Sequence, residues 1–191
     1  MDGIFQYFNF ATDKECEFLT KSAKEGTLGS TPNSYWDNMV LNPEDMPSLE
    51  AVDLMNNISL RQLEQLSKDF KITTPVYRDT MIIGVWEKGK YLAPHRDNQY
   101  LRGQEEIATP WRHYTATTYL NDDYEGGKID LPDQNKQIKP KKGQVILFQA
   151  GEPHGVTKIR KGVRYTMLTW FTHVKEYDGV DARVEYCRTI F

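Results

Sequence analysis

The second half of the chain is a succession of short apolar segments separated by turns, and this pattern limits the fold more than any other feature. The first of these segments, residues 76–86, is rich in β-branched and aromatic residues. The segments are residues 76–86, 114–120, 128–131, 137–139, 144–148 and 164–172. Glycine, proline, asparagine and aspartate lie between them, and no helical segment intervenes. Strands in direct succession pair antiparallel, so the pattern predicts a sandwich or barrel of the jelly-roll type.

Two helices are predicted before this strand-rich part. Thr12 is typical of an N-cap, and Glu15 three residues later completes a capping box. The first helix is expected to run to about Glu25 and to end at Gly26. A broad apolar face predicts a second helix over residues 47–70. The expected fold is α+β, a double-stranded β-helix (jelly roll) with N-terminal helices that support it.

The 191 residues contain no internal repeat, low-complexity tract or linker, so we expect one domain. Its expected parts are a mainly helical support at residues 1–75, the jelly-roll core at residues 76–174 and a C-terminal extension at residues 175–191. The balance of 24 basic against 27 acidic residues gives a net charge of −3. This charge provides no general attraction to nucleic acid or to an anionic membrane.

The beginning of the chain has no basic segment followed by an apolar run, and no later stretch has the length and apolar character of a membrane span. Cys16 and Cys187 are too few for a disulfide framework, which suits a reducing compartment. We therefore expect a cytoplasmic protein with no membrane partner, in which both cysteines are structural thiols.

A histidine and an aspartate two residues apart begin the most informative motif. In an extended segment, His95 and Asp97 would project to the same side of the backbone. His154 follows 59 residues after His95, between proline and glycine. Two histidines and one carboxylate form the facial set of non-haem iron(II) oxygenases, which leaves coordination positions open. The His-x-Asp motif alone is weak, because ordinary surface or core residues produce the same spacing.

Arg164, ten residues beyond His154, supports the metal-site interpretation. In a strand, Arg164 and Thr166 would share one face, where the guanidinium fork and a hydroxyl donor fit a carboxylate. If that face is buried, the charge needs an anionic partner such as a dicarboxylate cosubstrate. The alternative is an ordinary surface ion pair. His113 and His173 have no carboxylate two residues away and are expected to be structural.

Residues 78–173, half of the chain, resemble the catalytic core of the iron(II)- and 2-oxoglutarate-dependent dioxygenases, in the prolyl hydroxylase branch (prolyl 4-hydroxylase-like). The motifs are Pro-His-Arg-Asp at residues 94–97, Tyr-Leu-Asn-Asp-Asp-Tyr-Glu-Gly-Gly at 119–127, Lys-Pro-Lys-Lys-Gly-Gln-Val at 139–145, His-Gly-Val-Thr at 154–157 and Gly-Val-Arg-Tyr at 162–165. Their order and spacing together are specific. Residues 112–121 are also similar to the oxygen-sensing prolyl hydroxylases that act on hypoxia-inducible factor.

The resemblance implies an enzyme that uses iron(II), 2-oxoglutarate and O2, with ascorbate as reductant, and releases succinate and carbon dioxide. The metal ligands that it implies are His95, Asp97 and His154, and the residues that it implies for 2-oxoglutarate are Arg164, Tyr119 and Thr166. Prolyl hydroxylases usually carry a cosubstrate tyrosine about nine residues before the first metal histidine. That place holds Trp86 here, and the sequence leaves open whether Trp86 or Tyr91 takes the role.

Two other branches of the family fit less well. The related nucleic-acid demethylases have an asparagine and a second arginine where this chain has Thr166 and Trp170, so we expect no nucleic-acid substrate. A halogenase would lack the carboxylate ligand, whereas Asp97 is present.

Three functions remain open from the sequence. The preferred one is hydroxylation of a prolyl residue in a peptide or protein, the second is hydroxylation of a free amino acid or other small molecule, and the third is a non-catalytic metal-binding jelly roll. Two loops, around Tyr35 and Trp36 and at residues 98–111, are candidates for substrate contact. Trp36 and Trp111 fit equally well as covers of the core. The sequence indicates neither the position hydroxylated nor the oligomeric state.

Overall fold

The fold is described from a computed structural model, which covers residues 3–29, 36, 38–98 and 109–179. Within these residues the chain forms two α-helices and ten β-strands. The helices are α1 (Asp13–Glu25) and α2 (Leu49–Asp69). The strands are β1 (Ile4–Tyr7), β2 (Val40–Leu41), β3 (Tyr77–Trp86), β4 (Leu92–His95), β5 (Tyr114–Tyr119), β6 (Ile129–Leu131), β7 (Lys136–Ile138), β8 (Val145–Gln149), β9 (His154–Val156) and β10 (Arg164–Thr172).

Both helices begin at the side-chain caps that satisfy their first backbone N–H groups. The Thr12 hydroxyl accepts the Glu15 N–H at 3.3 Å, and the Glu15 carboxylate accepts the Thr12 N–H at 2.7 Å. This is the predicted capping box. The Ser48 hydroxyl accepts the Ala51 N–H at 3.2 Å at the start of α2. The predicted bounds of both helices therefore agree with the structure to within two residues.

The strands form two antiparallel sheets. The larger sheet has the order β1-β8-β5-β10-β3-β2, and the smaller sheet has the order β4-β9-β6-β7. Within each sheet, all pairs of these strands are antiparallel. This architecture confirms the predicted α+β jelly roll with N-terminal supporting helices.

The alternation of side chains along β10 divides the interior into two layers. Tyr165 and Met167 point into an apolar cluster with buried residues of both helices. Arg164, Leu168 and Trp170 point the opposite way and line a cavity between the two sheets. Each buried apolar side chain of the helix layer contributes about 1.5–3 kcal/mol to stability. One side of the larger sheet therefore provides the core, while the other faces the cavity.

Four short strands were not among the predicted strand segments, namely β1, β2, β4 and β9. β1 pairs with β8, β2 pairs with β3, and β9 joins β4 to β6. Segments of two to four residues carry too little periodicity to be recognised, and β9 is flanked by proline and glycine. The pairing partners that create these strands are distant in the chain.

Several predictions concern residues outside the described ranges. Tyr35, Cys187 and most of the expected loop at residues 98–111 lie there, as do residues 180–191 of the expected C-terminal extension. The division into a support, a core and an extension stays a prediction. No helix in the described ranges combines the length and the apolar character needed to cross a bilayer.

Candidate active site

The two candidate metal histidines face each other across a strand pair. His95, the last residue of β4, is the register partner of His154, the first residue of β9. Directly opposed residues of an antiparallel pair have neighbouring side chains, and the two imidazole centroids are 4.3 Å apart. Gly155 allows this approach, because a Cβ atom there would lie only 2.8 Å from the Leu92 carbonyl oxygen.

Backbone carbonyl groups orient both imidazole rings. His95 Nδ1 lies 3.1 Å from the Ala93 oxygen, and His154 Nδ1 lies 2.9 Å from the Glu152 oxygen. A carbonyl oxygen only accepts hydrogen bonds, so each Nδ1 carries the proton and donates. In the neutral form of each ring, the lone pair is then on Nε2. Both Nε2 atoms point to the Asp97 carboxylate, at 3.4 Å from Oδ1 for His95 and 3.8 Å from Oδ2 for His154.

Asp97 lies just beyond the end of β4 and is held by contacts from the larger sheet. Its backbone N–H donates to the Ala150 oxygen at 2.8 Å. Its Oδ2 atom accepts the Thr115 hydroxyl at 2.6 Å and the Trp170 indole N–H at 2.9 Å. These two donors leave Oδ1 open toward the centre of the cluster. Period-two alternation predicted that Asp97 joins His95, but the contacts from β5 and β10 position it outside the strand.

The protonation states of the cluster suit metal binding. Burial alone would raise the pKa of Asp97, but the adjacent His154 and His95 and the Thr115 hydroxyl hold this pKa well below its usual range. Burial lowers the pKa of His154, and the Asp97 carboxylate only partly offsets that effect. The carboxyl group is therefore ionised and the His154 ring neutral, which are the forms that bind a metal ion.

His95, Asp97 and His154 each offer one ligand atom, and these atoms lie within 4.8 Å of one another. Two imidazole nitrogens and one carboxylate oxygen on one side of a centre are the donor set of non-haem iron(II) sites. His113 and His173 lie elsewhere, with their rings 4.9 Å apart, and the Tyr114 hydroxyl is 3.3 Å from His173 Nε2. The donor set therefore fits iron(II), and the two other histidines belong to a separate polar cluster.

Arg164 lies deeper in the same cavity, at the start of the central strand of the larger sheet. Its register partner on β3 is Trp86, and the neighbouring Thr166 pairs with Tyr119 at the end of β5. The guanidinium carbon is 5.0 Å from the Trp86 ring centroid and 5.1 Å from that of Tyr119. These cation–π contacts favour the charge, but they use none of its hydrogen-bond donors. Arg164 is only 2% exposed, so it is not the surface ion pair considered from the sequence.

Four buried polar atoms, two of Arg164 itself and two of neighbouring tyrosines, have no hydrogen-bond partner among the described residues. They are Nε and Nη1 of Arg164 and the hydroxyl groups of Tyr119 and Tyr124. Buried polar atoms are nearly always hydrogen-bonded, because each unsatisfied group costs about 1–3 kcal/mol. The side chains that carry them are neighbours, because the Arg164 guanidinium carbon is 5.1 Å from the Tyr119 ring centroid and both Tyr124 Cε2 and Arg164 Cδ lie within 3.0 Å of the place where a Cβ atom on Gly127 would be. Such a cluster of donors fits an anionic ligand.

The two phenols are protonated, so they add donors to the cluster. Burial raises the pKa of Tyr119 far above its usual value, and the positive charge of Arg164 only partly offsets this effect. Burial likewise raises the pKa of Tyr124. A guanidinium fork flanked by neutral hydroxyl groups matches a carboxylate, which only accepts hydrogen bonds. The residues present therefore fit the distal carboxylate of 2-oxoglutarate.

The sequence left open whether Trp86 or Tyr91 takes the role of the cosubstrate tyrosine, and the structure places these two residues in different surroundings. Trp86 is buried and lines the cavity beside Arg164. Tyr91 is 56% exposed, so its side chain is directed largely to solvent. Thr166 is buried, and its hydroxyl accepts the Trp86 indole N–H at 3.3 Å. Thr166 therefore orients Trp86, and its predicted contact with a carboxylate stays a prediction.

Sequence reasoning missed Tyr124 and Thr115. Tyr124 lies in the polar run Asn-Asp-Asp-Tyr-Glu-Gly-Gly, where a single aromatic residue among turn formers was the only signal. Thr115 gave no signal, because threonine is common in strands and only the tertiary contact with Asp97 identifies it. The hydrogen bond from the Trp170 indole to Asp97 was not foreseen either.

Comparison with known proteins agrees with this geometry. Residues 81–172, just under half of the chain, match the model of the 2OG-Fe(II) oxygenase superfamily. The chain is 41% identical to human prolyl 3-hydroxylase 2 over 76 residues, which are 36% of this chain and 11% of that protein. It is 25% identical to human prolyl 3-hydroxylase 1 over 210 residues, covering 90% of this chain. The chain spans only 28% of the length of that second relative.

The fold is also similar to that of a viral collagen prolyl hydroxylase from Paramecium Bursaria Chlorella virus-1, solved as its 2OG complex. The two structures superpose with a TM-score of 0.67 at 19% identity, covering 91% of this chain and 97% of the other. The superposition shows that the two proteins share a fold, and residues 81–172 of this chain match the 2OG-Fe(II) oxygenase superfamily.

Proposed function

We propose that this protein is an iron(II)- and 2-oxoglutarate-dependent dioxygenase that hydroxylates a prolyl residue in a peptide or protein. The observation that carries the proposal is the pairing of a two-histidine, one-carboxylate set with an unsatisfied buried arginine in one cavity. A structural metal site would have closed coordination and no need for a carboxylate clamp. This pairing argues against the non-catalytic jelly roll.

The roles of the residues follow from their positions. His95, His154 and Asp97 Oδ1 would hold iron(II), with Thr115 and Trp170 fixing the second oxygen of the carboxylate. Arg164, with the Tyr119 hydroxyl, would bind the distal carboxylate of 2-oxoglutarate. These contacts fix which end of the cosubstrate faces the metal. The buried aromatic walls exclude water from the reaction.

When bound, iron and 2-oxoglutarate supply the oxidising chemistry that inserts an oxygen atom into a C–H bond. The balance is one substrate, one 2-oxoglutarate and one O2 giving one hydroxylated substrate, one succinate and one carbon dioxide. Ascorbate is the expected reductant that keeps the iron ferrous. The protein contributes orientation and a closed environment.

A peptidyl substrate suits the lining of the cavity better than a free amino acid does. Apart from the metal set and Arg164, the described lining side chains are uncharged, with Trp36, Leu92 and Leu168 among them. A free amino acid carries an ammonium and a carboxylate group, and both would need partners on burial. A prolyl residue within a chain has neither charge. The names of the relatives, prolyl 3-hydroxylases, support the same choice.

The test is an aerobic assay of purified protein with iron(II), ascorbate and 2-oxoglutarate. Succinate and O2 consumption are measured with a panel of proline-containing peptides, with free L-proline and with other free amino acids. We expect stimulated turnover with a peptide that gains one oxygen atom. Comparison of its hydrolysate with 3- and 4-hydroxyproline standards identifies the position hydroxylated.

The controls separate the alternatives. His95→Ala is expected to abolish both succinate formation and peptide hydroxylation. If a free amino acid stimulates turnover and no peptide does, the substrate is a small molecule and the proposal of a peptidyl substrate is wrong. Protein that binds iron but neither binds nor decarboxylates 2-oxoglutarate would refute the dioxygenase function.

A further inference from the structure

Two tyrosine side chains lie beside Arg164, and they come from different parts of the fold. Tyr119 is the last residue of β5, whereas Tyr124 follows that strand. Tyr124 belongs to the connection between β5 and β6, and its side chain is 4% exposed. Its ring packs in an apolar cluster with Met39, Trp86 and Ile159. The ring is therefore held by apolar contacts, and these contacts provide no hydrogen-bond partner for the hydroxyl group.

The backbone of this connection holds the ring in place. Glu125 forms an isolated antiparallel bridge with Lys161, and its N–H donates to the Lys161 oxygen at 2.9 Å. The Glu125 oxygen accepts the Arg160 N–H at 2.7 Å. Gly127 has a φ of +58°, and a Cβ atom there would lie 2.9 Å from Tyr124 Cε2 and 3.0 Å from Arg164 Cδ. The glycine therefore lets the tyrosine ring and the arginine stem pack together.

The Tyr124 hydroxyl differs from other tyrosine hydroxyls of the protein. The Tyr7 hydroxyl donates to Asp69 at 2.6 Å, and the Tyr114 hydroxyl is 3.3 Å from His173 Nε2. The hydroxyl of Tyr124 is buried and has no partner among the described residues. A phenylalanine would fill the same apolar cluster without this unsatisfied group. The hydroxyl is therefore explained by a ligand rather than by packing.

We propose that Tyr124 is a third donor to the distal carboxylate of the cosubstrate, together with Arg164 and Tyr119, and that it sets selectivity for 2-oxo dicarboxylates over 2-oxo monocarboxylates. The inference rests on the proposed function and adds a residue to its site. A carboxylate offers about four acceptor positions. The arginine fork occupies two of them, and the two hydroxyl groups, which approach from β5 and from the β5–β6 connection, take the others.

The experiment is an anaerobic titration of the iron(II)-loaded protein, monitored by the visible charge-transfer absorption of the 2-oxo acid chelate. The two ligands are 2-oxoglutarate and 2-oxopentanoate, which has the same five-carbon chain with a methyl group in place of the distal carboxylate. The variants are Tyr124→Phe, Tyr119→Phe and Tyr165→Phe. Tyr165 is a matched control, because it points to the helix side of β10.

Tyr124→Phe is expected to weaken 2-oxoglutarate binding about tenfold or more, as loss of a hydrogen bond to a charged group does. Its affinity for 2-oxopentanoate should stay within about twofold of the wild type, since that ligand has no distal acceptor. Tyr119→Phe should behave in the same way, and Tyr165→Phe should bind both ligands like the wild type.

An equal loss for both ligands would show that Tyr124 acts only through packing and would overturn the inference. Unchanged binding of 2-oxoglutarate by Tyr124→Phe, with wild-type protein binding normally, would also overturn it but would leave the proposed function standing. Failure of the wild-type protein to bind 2-oxoglutarate would refute both. Calorimetric titration of the manganese(II)-loaded protein provides an independent measure of the same affinities.

Discussion

At the scale of single residues, the carboxylate of Asp97 is positioned by groups that do not themselves bind metal. Thr115 and Trp170 both donate to its Oδ2 atom, and Arg112 stacks on the Trp170 ring with its guanidinium carbon 4.0 Å from the centroid. Arg112 is in turn paired with Asp79 at 2.7 Å. The orientation of the carboxylate therefore depends on residues of three strands and of the segment before β5.

Replacement of Trp170 by Phe should weaken metal binding. The variant keeps an aromatic ring beneath Arg112 but loses the N–H that fixes Asp97, and loss of such outer contacts typically reduces metal affinity by about tenfold to a hundredfold. Chelator competition with iron(II) under nitrogen measures the effect. Trp111→Phe is the matched control, because its indole N–H donates to Asp79 at 3.2 Å instead. Equal affinities in the two variants would contradict this role for Trp170.

Cys16 should be unreactive in the folded protein. It is fully buried in α1, and burial raises the pKa of its thiol to about 11. Because the thiolate is the reactive form, a raised pKa leaves very little of it at pH 8. In a Cys187→Ser background, a thiol reagent such as Ellman's reagent should modify Cys16 only after denaturation. Rapid labelling of the native variant at pH 8 would show that the site is accessible.

At the scale of elements, α1 illustrates how local sequence decides local structure. The predicted capping box, between Thr12 and Glu15, is present with both hydrogen bonds. The Glu15 carboxylate also pairs with Arg61 of α2 at 2.7 Å, so the cap joins the two helices. Burial alone would raise the pKa of Glu15, but the Thr12 N–H and Arg61 hold this pKa below its usual value.

Thr12→Ala should lower the stability of the protein by about 1 kcal/mol, the typical cost of losing an N-cap side chain. For a domain of this size, the melting temperature should fall by about 2–4 °C. Thr12→Ser retains a hydroxyl group at the cap and is expected to melt close to the wild type. A Thr12→Ala protein as stable as Thr12→Ser would mean that the capping hydroxyl contributes little.

The elements of the site were less predictable than α1. The strand β10 was predicted over residues 164–172, as observed, because its apolar run is long and begins after a glycine turn. The strand β9 was not predicted, although it carries His154, because its three residues have no periodicity of their own. Only pairing with β4 and β6 makes it a strand. His95 and His154 lie opposite each other because β9 pairs with β4.

At the scale of the whole molecule, function and stability compete at Arg164. Its guanidinium is buried with two nitrogen atoms unsatisfied among the described residues, so the ligand-free protein bears the cost of a partly unpaired charge. Arg112 is the contrasting case, because its partly buried charge is paired with Asp79. The expected cytoplasmic location and the division into three parts are also properties at this scale, and both stay predictions.

Arg164→Met should leave the ligand-free protein as stable as the wild type, or more stable, because it replaces an unsatisfied charge by an apolar side chain. The additional stabilisation of the iron(II)-loaded protein by 2-oxoglutarate should be lost; for the wild type it reaches about 2.7 kcal/mol at a 2-oxoglutarate concentration of 100 Kd. Thermal unfolding with and without both ligands measures these effects. Arg112→Met removes the cation that is paired with Asp79, so this variant should destabilise the ligand-free protein. A retained 2-oxoglutarate effect in Arg164→Met would contradict the clamp.

The sequence by itself determined the class of fold, the helix caps and the residues from which the site is assembled. Apolar periodicity, capping side chains and turn formers act over a few residues, so they can be recognised without the tertiary structure. The spacing of His95, Asp97, His154 and Arg164 was sufficient to predict one site. These side chains do line one cavity.

The tertiary structure alone decided how the site is completed. It exposed Tyr91 and buried Trp86, it directed the indole N–H of Trp170 to Asp97, and it brought Tyr124 to Arg164. These outcomes depend on strand register and on backbone turns that join distant segments, and one residue of register moves a side chain to the opposite face. Burial and the pairing of polar groups are properties of the assembled sheets, so no local pattern contains them.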